Sequence, residues 1–316
     1  MKVIDILKKN KEPFASFEIV PPLKGSDIYK LYQYIEPLME FAPPFINITC
    51  HRDEVVFYPD GDGVFRKVLI NKRPGTVAIA AAILKRFQVE VVPHLICGGA
   101  SVQKLENDLM DLHFLEIHNV VALRGDPMPG QKYFAPEPDG FKHSYELVSL
   151  IRDMNTGHHS DRELSHVCTD FCVGVAGYPE KHFEAPNIET DIINLKAKVD
   201  AGADYIITQM FFDNQKFYHF EKKCREAGIL VPVIPGLKPL STIKQSELLP
   251  KSFHLDLPED LMRLLRCCST PEAVYEAGVE WCVAQSKDLL QHGVPAIHYY
   301  TMGKANNVKQ VIKNVF

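Results

Sequence analysis

Short apolar runs alternate with amphipathic stretches from one end of the chain to the other. The clearest run is Val120-Val121-Ala122-Leu123, which leads into Arg124-Gly125-Asp126 and stops at Pro127-Met128-Pro129-Gly130. A run that is apolar at successive positions, holds β-branched residues and closes on charges and turn formers predicts a parallel strand buried on both faces. Seven further runs read the same way: Phe14 to Val20, Phe45 to Cys50, Val89 to Cys97, Cys172 to Tyr178, Tyr205 to Phe212, Val231 to Leu237 and Ala296 to Met302. Between them the apolar residues recur at helical spacing. Ser26 to Phe41 sets Ile28, Leu31, Tyr32, Ile35, Leu38 and Met39 on one face, and Thr76 to Phe87 is an alanine-rich helix. Helices are also predicted over Val102 to Leu112, Tyr145 to Met154, Ile188 to Ala201, Asn214 to about Ala227, residues 257–268, 271–291 and Ala305 to Val315. Asn214 serves as a cap, and Gly202 and Gly228 as stops. The first ten residues read as a short amphipathic helix, because Asp5 interrupts what would be a signal's apolar region. Residues 51–72, marked by Pro59-Asp60-Gly61-Asp62-Gly63, are expected to form a polar loop, as are residues 127–142 and a polar insert over 155–170.

Eight strands separated by helices and followed by a last helix predict an α/β fold, the (β/α)8 barrel of the TIM type, as one domain over residues 1–316. The alternative is an open doubly wound sheet. No G-x-G-x-x-G follows any strand, which weakens it.

Composition narrows the function. A net charge of −5 gives no basic excess, which argues against a nucleic-acid binder and against a polybasic membrane anchor. The longest purely apolar run, Val77 to Leu84, is far too short to span a bilayer, and the expected location is the cytoplasm. Eight scattered cysteines without a C-x-x-C pair are expected to be free thiols.

In a barrel, alternate strand residues face the interior, and those at the C-terminal ends line the active site. On the first strand Phe14, Ser16 and Glu18 share the inward parity, while Phe17 and Ile19 face the helices. Asn47 and Thr49 share a parity on the second strand, and His94 lies near the end of the third. Arg124 and Asp126 close the fourth, and Tyr178-Pro179-Glu180-Lys181-His182 closes the fifth. Gln209 interrupts the apolar sixth strand, where its amide must find partners for two donors and two acceptor sites. The eighth strand carries His298, Tyr299 and Tyr300. Each residue alone also has a structural role open to it, as a core histidine or an ion-pair member. Glu18, His94, Asp126 and His182 could instead build a metal-dependent hydrolase or lyase barrel, although H-x-H and H-E-x-x-H are absent. His158, His159, His166, Cys168 and Cys172 form a loose cluster that matches no standard metal spacing, so no metal is expected.

The same residues carry a resemblance. Phe17-Glu18-Ile19-Val20-Pro21-Pro22, Asn47-Ile48-Thr49, Pro93-His94-Leu95, Val121 to Asp126, Tyr178-Pro179-Glu180 with His182, Asp191 through Ala203, Ile207-Thr208-Gln209 with Phe211-Phe212-Asp213, Ile234-Pro235-Gly236 and His298-Tyr299-Tyr300-Thr301 run along nearly the whole chain. In this order they resemble the catalytic domain of the methylenetetrahydrofolate reductases in its short, bacterial-type form. The resemblance implies a (β/α)8 barrel that holds FAD and reduces 5,10-methylenetetrahydrofolate to 5-methyltetrahydrofolate with NADH or NADPH, by ping-pong kinetics. It implies flavin contacts at Thr49, His94, Leu123, Arg124, Asp126, Ala176, Tyr178, His182, Asp191 and Lys198. It places Glu18, Asp126 and Gln209 at the folate, and Leu249 where some relatives set a phenylalanine against it.

The chemistry implied suits these residue types. Opening the methylene bridge needs a proton on the departing nitrogen, and a carboxylic acid in an apolar barrel mouth can hold one near neutral pH, which is the role implied for Glu18. The opened iminium is cationic, so the Asp126 carboxylate would stabilise it. Arg124 and Lys198 suit the FAD phosphates. Cys50-His51-Arg52 departs from the family pattern after Thr49, and residues 155–170 look like an insertion. The chain ends soon after the eighth barrel helix, so a regulatory domain and inhibition by S-adenosylmethionine are not expected; a homo-oligomer is. A non-catalytic pterin-binding barrel is the third alternative.

Overall fold

The computed structural model describes residues 1–128, 130–160 and 167–316. Pro129, His166 and part of the 155–170 insert lie outside the described residues. The strands are β1 (Phe14–Ile19), β2 (Phe45–Ile48), β3 (Glu54–Pro59), β4 (Phe65–Ile70), β5 (Glu90–Ile96), β6 (Asn119–Leu123), β7 (Cys172–Gly177), β8 (Tyr205–Met210), β9 (Val233–Leu237) and β10 (Ala296–Tyr300). The helices are α1 (Val3–Lys9), α2 (Ile28–Met39), α3 (Thr76–Phe87), α4 (Val102–Phe114), α5 (Ser144–Asn155), α6 (Ile188–Asp200), α7 (Asn214–Glu226), α8 (Ile243–Phe253), α9 (Glu259–Cys267), α10 (Pro271–His292) and α11 (Asn306–Val315).

Eight of the strands close into a parallel barrel in the order β1-β10-β9-β8-β7-β6-β5-β2. This is the (β/α)8 barrel expected from the sequence. Inward parity holds on β1: Phe14 packs inside with Phe45, Val92, Val121, Tyr205, Ile207 and Ile234, while Phe17 and Ile19 join the larger core between strands and helices. α1 plugs the N-terminal end of the barrel with Val3, Ile6 and Leu7, all buried in the inner cluster. Asn119 ties it there, accepting from the Val3 amide at 2.8 Å and donating to the Met1 carbonyl at 2.9 Å.

Three local expectations are corrected. Residues 51–72 are not a loop: β3 and β4 pair antiparallel around the Asp60–Val64 turn. The flanking residues are β-branched and aromatic, and that preference, set around a Gly-rich turn, makes a hairpin. Its base is tied to the loop after β1 by Lys24 N to Lys72 O (2.8 Å) and by Arg73 to the Pro21 carbonyl. The cap of α7 is Asp213, whose carboxylate accepts from Gln215 N at 2.9 Å; Asn214 is the first helical residue. α8 was not foreseen, because it buries only Ser246 and Leu249 and carries Pro250 inside it. Among the described residues no helix is long and apolar enough to cross a membrane. All eight cysteines are free thiols.

Candidate active site

Strand register decides which polar groups meet at the C-terminal mouth. Glu18 is opposite Asn47 of β2 and Tyr300 of β10, which sets three inward-facing polar side chains at one level. One level down, Ser16 is opposite His298, and the Ser16 hydroxyl lies 2.9 Å from His298 Nδ1. His94 comes in from β5. Its Nε2 is 3.2 Å from Asn47 Nδ2 and 3.7 Å from Glu18 Oε2.

Burial sets the charge on this floor. It pushes the Glu18 carboxyl up to about 8. It pushes His94 down to about 3, with His51 adding to the effect. Both side chains are therefore neutral near pH 7, so their approach joins an acid and an imidazole rather than an ion pair. The Glu18 side chain keeps 15% exposure, so its carboxyl is enclosed yet reachable from the mouth. Such a group is a proton donor near neutral pH.

The loops above supply a rim. Arg124 pairs with Glu184 at 2.5 Å, its guanidinium carbon lies 4.8 Å from the Phe134 ring centre, and its Nη2 is buried without a hydrogen-bond partner. Leu123, just before it, packs on the inner cluster. Asp126 is exposed, and its carbonyl accepts from Arg52 at 3.3 Å. Arg52 also approaches Glu137 at 3.8 Å and covers Gly98, where a methyl would come within 3.3 Å of Nη1. Lys198 of α6 donates to the Ala176 carbonyl at 2.6 Å and stands 5.8 Å from the Tyr178 ring centre. Burial holds its amine down at about 8, against the pull of Asp191. Asp191 accepts from His182 N at 2.9 Å, and burial raises its carboxyl. The His182 ring stands edge-on to Tyr178 at 4.8 Å and is lowered to about 4, by burial and then by Arg124. Arg124, Ala176, Tyr178, His182, Asp191 and Lys198 thus gather on the β6–β7 side of the mouth. Thr49 stands on the β2 side, its hydroxyl 3.0 Å from His51 Nε2.

Gln209 sits where the β8–β9 ladder slips register, between Ile207 and Met210. Bulges of this kind re-aim a side chain at the end of a strand. Gln209 is half-buried and its Oε1 accepts from Met210 N at 2.9 Å. Leu249 of α8 is 3% exposed and packs among Met210, Phe212, Leu240 and Leu255. Among the described residues no three His, Cys, Asp or Glu side chains gather into a group that could hold a metal. In the loose histidine cluster, His158 bonds Thr156 at 2.9 Å and His159 approaches Glu106 of α4 at 3.8 Å. Arg52, Phe134 and Glu184 are rim residues that the sequence pattern did not single out. Arg52 alone left a trace, as part of the departure after Thr49.

The family model described as methylenetetrahydrofolate reductase matches residues 2–315. The chain belongs to the methylenetetrahydrofolate reductase family. Methylenetetrahydrofolate reductase 1 of Schizosaccharomyces pombe is 32% identical over 302 residues, covering 95% of this chain and 45% of that protein. The 5,10-methylenetetrahydrofolate reductase of Pectobacterium carotovorum is 32% identical over 293 residues, covering 92% of this chain and 86% of its own. The chain spans about half the length of the longer curated relatives it matches, covering 45%, 51% and 43% of three of them. Among solved structures, an uncharacterized protein from Clostridium thermocellum that binds two copies of 5-methyl-5,6,7,8-tetrahydrofolic acid superposes with a TM-score of 0.61. It is 14% identical and covers 98% of this chain and 97% of its own, a likeness of fold.

Proposed function

We propose that this chain reduces 5,10-methylenetetrahydrofolate to 5-methyltetrahydrofolate with electrons from NADH or NADPH, using bound FAD. The observation that carries the proposal is Glu18, a carboxyl held protonated at the barrel mouth by burial, in a chain of this family. Both electron donors stay in the proposal, because the Arabidopsis thaliana relative is named for NADH and the Caenorhabditis elegans relative for NADPH.

The residues present fit a flavin dinucleotide. Arg124 has a buried Nη2 with no partner, and Lys198 has an ammonium whose burial disfavours its charge. Arg124 Nη1 is engaged by Glu184 and Lys198 by the Ala176 carbonyl, so the open donor is Arg124 Nη2, and a dinucleotide diphosphate would accept from it and offset the buried ammonium. Arg124, Lys198 and His182 would hold the phosphates, with Asp191 fixing the His182 backbone, and Thr49, His94, Leu123, Asp126, Ala176 and Tyr178 would complete the binding wall. When bound, the flavin supplies two-electron transfer between nicotinamide and folate.

The chain's own residues do the proton and charge work. Glu18 holds a proton on its carboxyl and gives it to the nitrogen that leaves the methylene bridge. Asp126 offsets the positive charge of the opened substrate. The Gln209 amide matches the donor–acceptor edge of a pterin and orients it.

One cuvette tests the proposal. The purified protein, supplemented with FAD, is titrated anaerobically with NADH or NADPH and then with 5,10-methylenetetrahydrofolate. The expected result is a yellow protein that bleaches with the nicotinamide and regains colour with the folate. A protein that is colourless once unbound FAD has been removed would overturn the proposal.

A further inference from the structure

The Glu18 carboxyl keeps its proton only while no neighbour stabilises the anion, and His94 is placed to decide this. His94 Nε2 stands 3.7 Å from Glu18 Oε2. A neutral imidazole has one N–H and one lone pair, and the hydrogen bond at one nitrogen fixes the state of the other. With hydrogen on Nε2, the ring would aim a donor at Glu18 and favour the carboxylate. With hydrogen on Nδ1, Nε2 carries no hydrogen, no donor is aimed at Glu18, and the acid is favoured.

Asn47 occupies the deciding position. It is 1% exposed, opposite Glu18 in register, and its Nδ2 is 3.2 Å from the same Nε2. An amide nitrogen only donates, so Nε2 must accept, and the ring hydrogen goes to Nδ1. The reversed amide would put Asn47 Oδ1 against Nε2 and require hydrogen there. That orientation is the costlier one. As placed, the Asn47 atom without a partner is Oδ1. Reversal would leave the two hydrogens of an NH2 unsatisfied instead, and buried orphan N–H groups are rarer than under-satisfied carbonyl oxygens.

We propose that Asn47 is a positioning residue for the acid: its amide engages the Nε2 lone pair of His94, fixes the ring hydrogen on Nδ1, and so leaves no donor facing Glu18. The proposal deepens the folate-reduction reading and rests on it.

The other groups facing this pair leave the assignment to Asn47. Tyr34 of α2 is pushed up to about 12, by burial above all, and burial raises Tyr300 of β10 still further, so both phenols stay neutral. His298 of β10 is held at about 3 by burial, with His94 adding to it. His51, after β2, is lowered by burial and then by Arg73. Each of these groups is neutral near pH 7, so none sets a fixed charge against the carboxyl.

Two measurements on the cofactor-free protein test it, with Asn47→Leu as the variant. Nitrogen-15 NMR of the histidine rings, assigned with His94→Gln, is expected to find His94 protonated on Nδ1 in the unsubstituted chain and at least partly on Nε2 in the variant. Infrared titration of the Glu18 carboxyl, isolated by difference against Glu18→Gln, is expected to move down by about one unit or more in Asn47→Leu. In the loaded enzyme, the alkaline limb of the folate half-reaction should move with it. A His94 hydrogen on Nε2 in the unsubstituted chain overturns the proposal, and needs no variant to fold. An unmoved Glu18 titration in a folded Asn47→Leu overturns it too. Failure of the folate-reduction reading would look different: the unsubstituted, flavin-loaded protein would not be reoxidised by methylenetetrahydrofolate, whatever the tautomer.

Discussion

Burial denies Glu18 the usual stabilisation of a charged carboxylate, and the acid role proposed for it has a pH signature. Its folded value of about 8 lies above the ordinary 4.5. The folded state therefore binds the proton more tightly than the unfolded chain. The stability this contributes is complete below the ordinary value and is lost as pH rises through about 8. Reactivity follows the same group: reoxidation of the reduced flavin by the folate should fall as pH rises through about 8, because the acid is being titrated away. Reduction by the nicotinamide, which needs no proton from Glu18, should show no break there. Glu18→Gln should keep flavin and its reduction by nicotinamide, lose folate reduction by roughly 10²–10⁴-fold, and flatten the alkaline loss of stability. Stopped-flow measurement of the two half-reactions separates the effects. Equal loss of both would remove Glu18 from the acid's role.

At the scale of elements, close backbone approach governs how the helices seat on the barrel. Gly278, inside the 22-residue α10, is the sharpest case: a Cβ there would stand 2.1 Å from the Leu240 carbonyl oxygen. Two effects oppose each other in Gly278→Ala. Alanine favours a helix interior by roughly 0.5–1 kcal/mol. Forcing a methyl against a backbone oxygen costs about 1–3 kcal/mol, and the backbone cannot swing aside as a long side chain would. The clash should win, and the variant should unfold at lower denaturant concentration. A rise in the midpoint would mean that α10 does not sit against Leu240. The elements themselves were legible unevenly, for physical reasons. The barrel strands are buried on both faces, so their apolar runs are continuous and announce them. β3–β4 is half-exposed, with Phe57 and Phe65 each 60% exposed, and a run of Asp and Gly at its turn masks the strand signal. Glu18, His94, Arg124 and Asp126 stood out as polar endings on apolar runs. The Asn47–His94 contact did not, because β2 and β5 are neighbours in the barrel but separated by a hairpin and a helix in the chain. Arg52 was hidden for a similar reason, since its partners lie in the loops after β5 and β6.

At the scale of the whole molecule, the two ends of the barrel are built differently. Its N-terminal end is closed by α1, whose Ile6 is 5% exposed among the inner-cluster residues. Its C-terminal end carries Glu18, Arg124 and Lys198. In such barrels, residues at the N-terminal face serve stability and those at the C-terminal face serve the reaction. Ile6→Ala tests whether that division holds here. Truncating a buried isoleucine removes transfer energy and leaves a cavity, a loss of roughly 2–5 kcal/mol, large against the total stability of an ordinary domain. On β1 the Ser16 level stands between the inner cluster around Phe14 and Glu18, and the parallel ladders there include no backbone group of α1. The variant should therefore unfold at distinctly lower denaturant concentration, yet bind FAD and pass through both half-reactions unchanged where it remains folded. Calorimetry or urea melting reads the first effect, and flavin titration reads the second. Weakened flavin binding in a fully folded Ile6→Ala protein would mean that the plug transmits its packing to the mouth, and the division between the two ends would have to be given up.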